Sequence, residues 1–439
     1  MGFAGRGTDA VAGWRPRAVR IPPEAVVVAL VATAVVLGYE LPGHHHVKLG
    51  APTPPFYAFP HPRVTPWTPV AALGTVGLAA AAPALLRLPR AWWIAAATLT
   101  ALAARIVLNV GRFGPDELVR PLVGRIGSHD YLPTVPLFLA DPGGYLDGFA
   151  ERIATGLPIH PSAHPPGATV LLATLDRAGA PGPWPAAGLI LVAGAAATPL
   201  VYLLGCAIAG ERAARAATLA WAFAPMVLLE SATSMDAVFA TAGAAAALLA
   251  VRGRIWSAAS AVVVCSFLSW ALPAAAVWAG IVVWMRRGVR EAISLAVAAV
   301  AAAAAAYLLL WLVTGFDPVA AYSNTKYHYE HGVSRVRPYW YWVIGDPAAL
   351  LAGLGVPVAI AYARAVGART APALALAAVV LVAAASGFAK AEVERIWQFL
   401  VPLAVVAAAA EIDRMRLRPV LIALAVQAVA VEVLFGTTW

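Results

Sequence analysis

Charge is scarce in this chain. Of 439 residues only 12% are Asp, Glu, Lys or Arg, while 61% are hydrophobic. Soluble domains carry roughly 25% charged residues. With a mean hydropathy of +0.77, too few charges exist to cover a water-soluble globule, which excludes soluble enzymes, disordered scaffolds and collagen-like chains. Cysteine is almost absent. Cys206 and Cys265 both sit inside apolar runs, a pattern that supports neither a disulfide framework nor a zinc site. Walker A, GxGxxG and HExxH patterns are missing, as is any Asp-x-Asp motif in the loops, so neither a nucleotide-binding unit nor a metal is argued for. What is left is a polytopic membrane protein, in which lipid solvates the apolar surface.

The apolar runs are plentiful. A spanning helix needs about 20 apolar residues. Thirteen candidates read as 24–41, 69–86, 91–110, 186–208, 215–230, 237–251, 255–269, 272–285, 291–313, 342–363, 371–388, 398–411 and 419–435. Several are short, and the pair 255–269 and 272–285 could be one broken helix, so the expectation is an all-α bundle of about 11–13 transmembrane helices. The first run follows Arg6, Arg15, Arg17 and Arg20 without a small-residue cleavage site. It reads as an anchor whose basic flank stays in the cytoplasm. Walking outward from there, each short inner loop holds at least two arginines: Arg87 and Arg90, Arg212 and Arg215, Arg252 and Arg254, Arg286, Arg287 and Arg290, Arg364 and Arg369, and Arg414, Arg416 and Arg418. This is the positive-inside pattern of a multi-pass bacterial plasma-membrane protein. It accounts for the net charge of +9 with no nucleic-acid partner.

The chain then divides into five stretches. Residues 1–110 hold the cytoplasmic tail and three spans; 111–185 form a large extracytoplasmic loop. Residues 186–313 are central spans, 314–341 an aromatic and basic outer loop, and 342–439 the C-terminal spans. The outer loop 42–68 is Pro- and His-rich; the adjacent His44, His45 and His46 point in different directions and make a poor metal site. Segment 111–185 contains Asp116, Glu117, Asp130, Asp141, Asp147 and Glu151 with His129, His160 and His164. Two short amphipathic helices are expected in it. One runs Tyr145–Ile153, with Tyr145, Phe149 and Ile153 on one face and Asp147 and Glu151 on the other. The second starts at Pro165 and Pro166 and runs to Arg177, too short to span and placed on the outer membrane face.

The run HPPGATVLLATLDRAG from His164, and the stretch from Ala195 through Ser234-Met235-Asp236-Ala237, resemble the GT-C superfamily of polyprenyl-phosphate-sugar-dependent glycosyltransferases. Protein O-mannosyltransferases carry His-Pro-Pro in their first outer loop, and lipid A aminoarabinose transferases carry Lys-Pro-Pro. Here, too, a span, an acidic residue, short surface helices, the HPPG run and a further span follow in that order, over about residues 91–255. The segments HDYLPTVP, HPPG and VERIWQF together are similar to uncharacterised actinobacterial integral membrane proteins of this class. The resemblance implies a GT-C-like bundle with outer-face juxtamembrane helices. Its implied activity moves a mannose- or arabinose-like sugar from a polyprenyl-phosphate donor to an envelope glycan or lipid acceptor. Some members use a divalent cation.

Such a reaction needs a carboxylate to take the acceptor proton, on the face opposite the leaving phosphate, and cations for the developing phosphate charge. For the base, Asp130 is favoured, with Asp116, Glu117 and Asp141 as rivals; each could instead cap a helix or pair with Arg112, Arg120 or Arg125. Tyr131 beside Asp130 is a substrate-binding candidate, and Asp236 is the intramembrane acid the resemblance favours as cavity-facing. His164 would contact the carrier phosphate, position the surface helix, or simply start it. Lys390 and Arg395 lie outside against the positive-inside bias, which an anionic head group would explain; an ion pair with Glu392 or Glu394 is the plainer reading. Glu394 is also a substrate-binding candidate. In 322–342, Tyr327 and Tyr329 could stack on a sugar while Arg335 and Arg337 bind phosphate; Tyr339–Trp342 read as an interfacial aromatic belt. Arg105, Asn109, Glu230 and Asp236 fall within spans, where ionisable groups are functional, paired or snorkelling. A transporter or flippase of lipid-linked saccharides is the alternative, although its ionisable groups would sit nearer the midplane. A non-catalytic envelope-assembly partner is a third.

Overall fold

Every one of the thirteen apolar runs is helical. The structure, a computed structural model, describes residues 22–437; the basic flank Arg6, Arg15, Arg17 and Arg20 lies outside them. Six helices are long and apolar enough to cross a membrane: Pro23–His44, Thr68–Arg87, Arg90–Asn109, Pro183–Ala209, Val289–Thr314 and Leu417–Leu434. A seventh crossing arises if Tyr339–Leu354 and Val356–Gly367, bent by 116° to each other, count as one. Gly355, with φ +84°, makes that bend, and Pro357 follows it. The other runs are shorter helices, among them Asp236–Val251, Ile255–Leu268 and Ala371–Ser386.

Proline explains much of the shortening. The run 215–230 is two helices, Glu211–Phe223 and Pro225–Glu230, because Ala224 before Pro225 is extended (ψ 132°). The pair 255–269 and 272–285 is two helices, Ile255–Leu268 and Pro273–Arg287, with Ser269 extended between them. Glu211–Phe223 and Pro225–Glu230 are almost wholly buried inside the bundle and need not reach across on their own.

The central helix Pro183–Ala209 packs on Asp236–Val251, Glu211–Phe223 and Arg90–Asn109. Alanine and glycine let these backbones approach, as apolar helices without a water-driven force require. By contrast, Val289–Thr314 is only 11% buried and presents Leu308, Leu309, Leu312 and Val313 outward. Such a surface is suited to contact with lipid. Among the described residues the one named sheet is a two-stranded pairing of Ala58–Pro60 with Phe435–Thr437, antiparallel, with Phe59 opposite Gly436.

The basic turns meet one another. Arg215 donates to the carbonyls of Leu86 and Leu88, Arg286 to that of Ile208, and Arg212 pairs with Asp413 at 3.1 Å. We call this the turn end. The long segment 111–166 and the turn 389–397 share the opposite, loop end. Within the first, the expected helix Tyr145–Ile153 is two pieces, Pro142–Asp147 and Phe149–Thr155, interrupted at Gly148. The expected faces hold: Tyr145, Phe149 and Ile153 are buried and Asp147 and Glu151 exposed. The surface helix starts at Gly167 and ends at Arg177. Gly167 permits a close approach, since a Cβ there would fall 2.2 Å from the Phe267 carbonyl oxygen.

Candidate functional site

The loop end holds a buried charge cluster assembled from distant parts of the chain. Its centre is Arg395, at the C-terminal side of the turn 389–397. The Arg395 guanidinium donates through Nη1 to Asp236 Oδ2 at 2.8 Å and lies 3.4 Å through Nη2 from Glu392 Oε2. Asp236 opens its helix and also accepts from the Ser234 hydroxyl at 2.5 Å. Glu392 takes a second cation, Arg337, whose Nη2 is 2.6 Å from Oε1. Burial alone would raise the Glu392 carboxyl, but Arg395 and Arg337 hold it below its ordinary value.

The turn itself is strained and tied down. Ala391 and Glu392 both have positive φ, +64° and +61°, a conformation that costs non-glycine residues roughly 1–3 kcal/mol each and persists where surroundings impose it. The surroundings do so: the Ala391 amide donates to Asp346 Oδ1 at 3.0 Å, and the Lys390 amide to the Tyr329 hydroxyl at 2.6 Å. Arg337 donates to the Lys390 carbonyl at 2.6 Å, and Lys390 Nζ to that of Ser334 at 3.0 Å. Burial pulls the Lys390 ammonium below its usual range and pushes the Tyr329 hydroxyl up to about 12. Glu394 accepts from the Tyr57 amide at 2.5 Å, and burial raises its carboxyl to about 7.

The second part comes from segment 111–166. Asp130 is buried, its Oδ2 lying 3.2 Å from His160 Nδ1 and its Oδ1 accepting from the Tyr131 amide at 2.6 Å. His160 is fixed in turn by its amide, which donates to the His129 carbonyl. At Tyr131, burial, then the charges of Asp236 and Asp130, push the hydroxyl well above the ordinary value. It therefore keeps its proton and offers a hydrogen bond. His164 stands 6.2 Å ring to ring from Tyr131 and 5.3 Å from Phe239, with Nδ1 3.1 Å from the Ser269 hydroxyl. Burial pulls its imidazole down to about 4, so it is neutral and can serve a phosphate only as a hydrogen-bond partner, not as a cation.

Asp130, Tyr131, His164, Asp236, Tyr329, Arg337, Lys390, Glu394 and Arg395 thus share one region. Four other candidates do not join it. Glu117 pairs with Arg120 at 2.7 Å, and burial raises its carboxyl. Asp116 is exposed on the same short turn. Arg335 is exposed, and Tyr327 stacks on His331 at 4.0 Å on the outer side of its helix. The rival Asp141 caps the helix Pro142–Asp147 through the Gly144 amide. For Arg395 the plain ion-pair reading holds with Glu392, and Asp236 is added to it. Sequence reasoning missed His160 as the partner of Asp130, Glu392 as the bridge between two arginines, and Tyr57 as the clamp on Glu394. Among the described residues no group of three or more His, Cys, Asp or Glu side chains gathers to hold a metal ion, His44–His46 included.

Fold and site define a class: an all-α, multi-pass membrane protein with a buried, carboxylate-rich charge cluster at one end of its bundle. No protein-family model and no curated protein matches the chain. Among solved structures it is similar to ArnT from Cupriavidus metallidurans. With the crystal structure bound to undecaprenyl phosphate the TM-score is 0.47 and the identity 16%, over 74% of this chain and 61% of that one. With the apo crystal structure the TM-score is 0.43 at the same identity, over 74% and 60%. The chain therefore spans about three fifths of the length of these structures.

Proposed function

We propose that the protein is a GT-C-type glycosyltransferase of a bacterial plasma membrane, with its site on the extracytoplasmic side. It takes a mannose- or arabinose-like sugar from a polyprenyl phosphate and transfers it to an envelope glycan or lipid hydroxyl. The observation that carries the reading is the convergence of the Asp130–His160 pair with the Arg395–Asp236–Glu392 cluster across Tyr131 and His164. An acid–base group and a cation with held geometry are what a displacement at a sugar phosphate requires.

In this reading Asp130 removes the acceptor hydroxyl proton as the acceptor oxygen bonds to the anomeric carbon. The anomeric C–O bond to phosphate breaks, and the polyprenyl phosphate leaves with the electron pair. His160 fixes the carboxylate; each carboxylate oxygen has a further lone pair for the proton. Arg395 faces the leaving phosphate, with Arg337 and Lys390 behind it, and Tyr131 and neutral His164 contribute hydrogen bonds. Asp236 and Glu392 orient Arg395 until the phosphate competes for it. The carrier tail has a place: an apolar groove of about 680 Å³ starts beside the HPPG run, lined by Gly167, Leu171, Val238, Phe267 and Leu310. No step is routed through a divalent cation, whose donor set is not assembled among the described residues.

The test is purified protein in lipid nanodiscs with radiolabelled polyprenyl-phosphate sugar and an envelope acceptor fraction. Label should pass to acceptor, and Asp130→Asn should lower the rate by about 10²-fold or more. Full activity in that variant would overturn the assignment of the base. Lipid movement across the membrane without bond formation would overturn the transferase.

A further inference from the structure

A second cavity shares no lining residue with the groove beside the HPPG run. It occupies about 150 Å³ between the helices Tyr339–Leu354 and Leu417–Leu434 and the short helix Pro225–Glu230. Met226 and Leu229 form one wall and Ala352 another. Phe56, Ala58 and Phe435, from the region where Ala58–Pro60 pairs with Phe435–Thr437, close it from the loop end. A space of this size accommodates a group of about six carbon atoms.

Three polar side chains break the apolar lining: Gln427, whose amide is taken by the Val356 amide and the Ala352 carbonyl, and the two carboxyl groups of Glu230 and Glu394. Glu230 is only 3% exposed. In each of them Oε2 is buried and has no hydrogen-bond partner. Buried acceptors of this kind are normally satisfied, because leaving one unpaired costs about 1–3 kcal/mol. Glu394 Oε1 is already used by the Tyr57 amide. The two glutamates and Arg395 all lie within electrostatic reach of one another. Burial raises the Glu394 carboxyl to about 7, so the lining offers a ligand ion no full fixed counter-charge. Arg395 is not in the lining and is already held by Asp236 and Glu392. A neutral donor needs no counter-charge.

We propose that this cavity binds a lipid-like alcohol, whose hydroxyl donates to Glu230 or Glu394 and whose first six or so carbons fill the space lined by Met226, Leu229 and Ala352. The inference stands on this cavity alone and does not use the transferase reading.

The test uses the full chain in nanodiscs and an octanol bearing a diazirine, with the labelled residues mapped by mass spectrometry. Labelling should concentrate on 225–230 and 349–353. Excess 1-hexanol should reduce it at least fivefold, while methyl hexyl ether, which cannot donate, and hexanoate should not. Met226→Trp and Ala352→Leu, each filling the space from a different wall, should each cut labelling about tenfold, with circular dichroism confirming that both fold. Asp130→Asn should label as the wild type does, so that failed sugar transfer and failed alcohol binding are told apart. Label spread evenly over the apolar surface would overturn the proposal and leave water as the partner of the two carboxyls. Equal protection by the ether, or stronger protection by hexylamine, would overturn the neutral-donor assignment.

Discussion

Arginine does different work at the two ends of this molecule. At the turn end Arg212 is 87% exposed and Arg414 72%, and both pair with acids that are partly open to solvent. At the loop end Arg395 and Arg337 are 8% and 4% exposed and are held by Asp236 and Glu392. Exposed pairs contribute about 0–1 kcal/mol each. Buried pairs carry a desolvation cost that their geometry must offset, so removing one partner is far more damaging than never having had the pair. The position of a charge therefore says more about its role than its type does.

The largest effect expected is at Arg395. Arg395→Leu leaves Asp236 buried without its cation and Glu392 with Arg337 alone, and should destabilise the protein by about 3–5 kcal/mol, read as thermal unfolding in detergent. If it unfolds no earlier than Arg212→Ala, the contrast between the ends fails. Next comes the Asp130 partner. His160→Ala frees a carboxylate whose orientation matters, so turnover should fall by roughly tenfold or more while KM for donor stays close to wild type; His160→Gln should recover part of the loss. A parallel fall in expression and donor binding would instead mark His160 as a folding residue.

A third effect is the pH dependence of stability. The Glu394 carboxyl titrates at about 7 in the folded chain against an ordinary 4.5, chiefly through burial. The folded state then holds more protons than the unfolded state between those values, so stability falls as pH rises from 4.5 to about 7 and levels above it. Glu394→Gln should flatten that portion of a melting-temperature profile, and an unchanged slope would assign it to another group. The smallest effect belongs to the turn end: Arg212→Ala should shift stability by no more than about 0.5 kcal/mol and leave the protein's orientation unchanged in a protease-accessibility assay.

Much of the site was legible because polar residues are conspicuous in so apolar a chain. Asp130, His164, Asp236, Lys390 and Arg395 each stand out against their surroundings, and Lys390 and Arg395 also violate the charge bias of the other turns. Choosing among the acids of segment 111–185 was harder. Asp116, Glu117, Asp130 and Asp141 look alike as letters; only packing makes one a helix cap, one the partner of Arg120, one an exposed turn residue and one the partner of His160. The strained turn at Ala391 and Glu392 left no sequence signal, since neither residue is the glycine such a backbone favours.

Sequence alone determined the class of molecule, because composition sets which solvent its surface can tolerate. It also determined where helices lie, because a run of apolar residues must satisfy its own backbone in lipid. Which acids meet which cations was decided only in the tertiary structure. Asp236 and Arg395 are 159 residues apart in the chain and 2.8 Å apart in space. No local periodicity encodes that distance; it follows from how small-residue helices stack and where proline and glycine turn them.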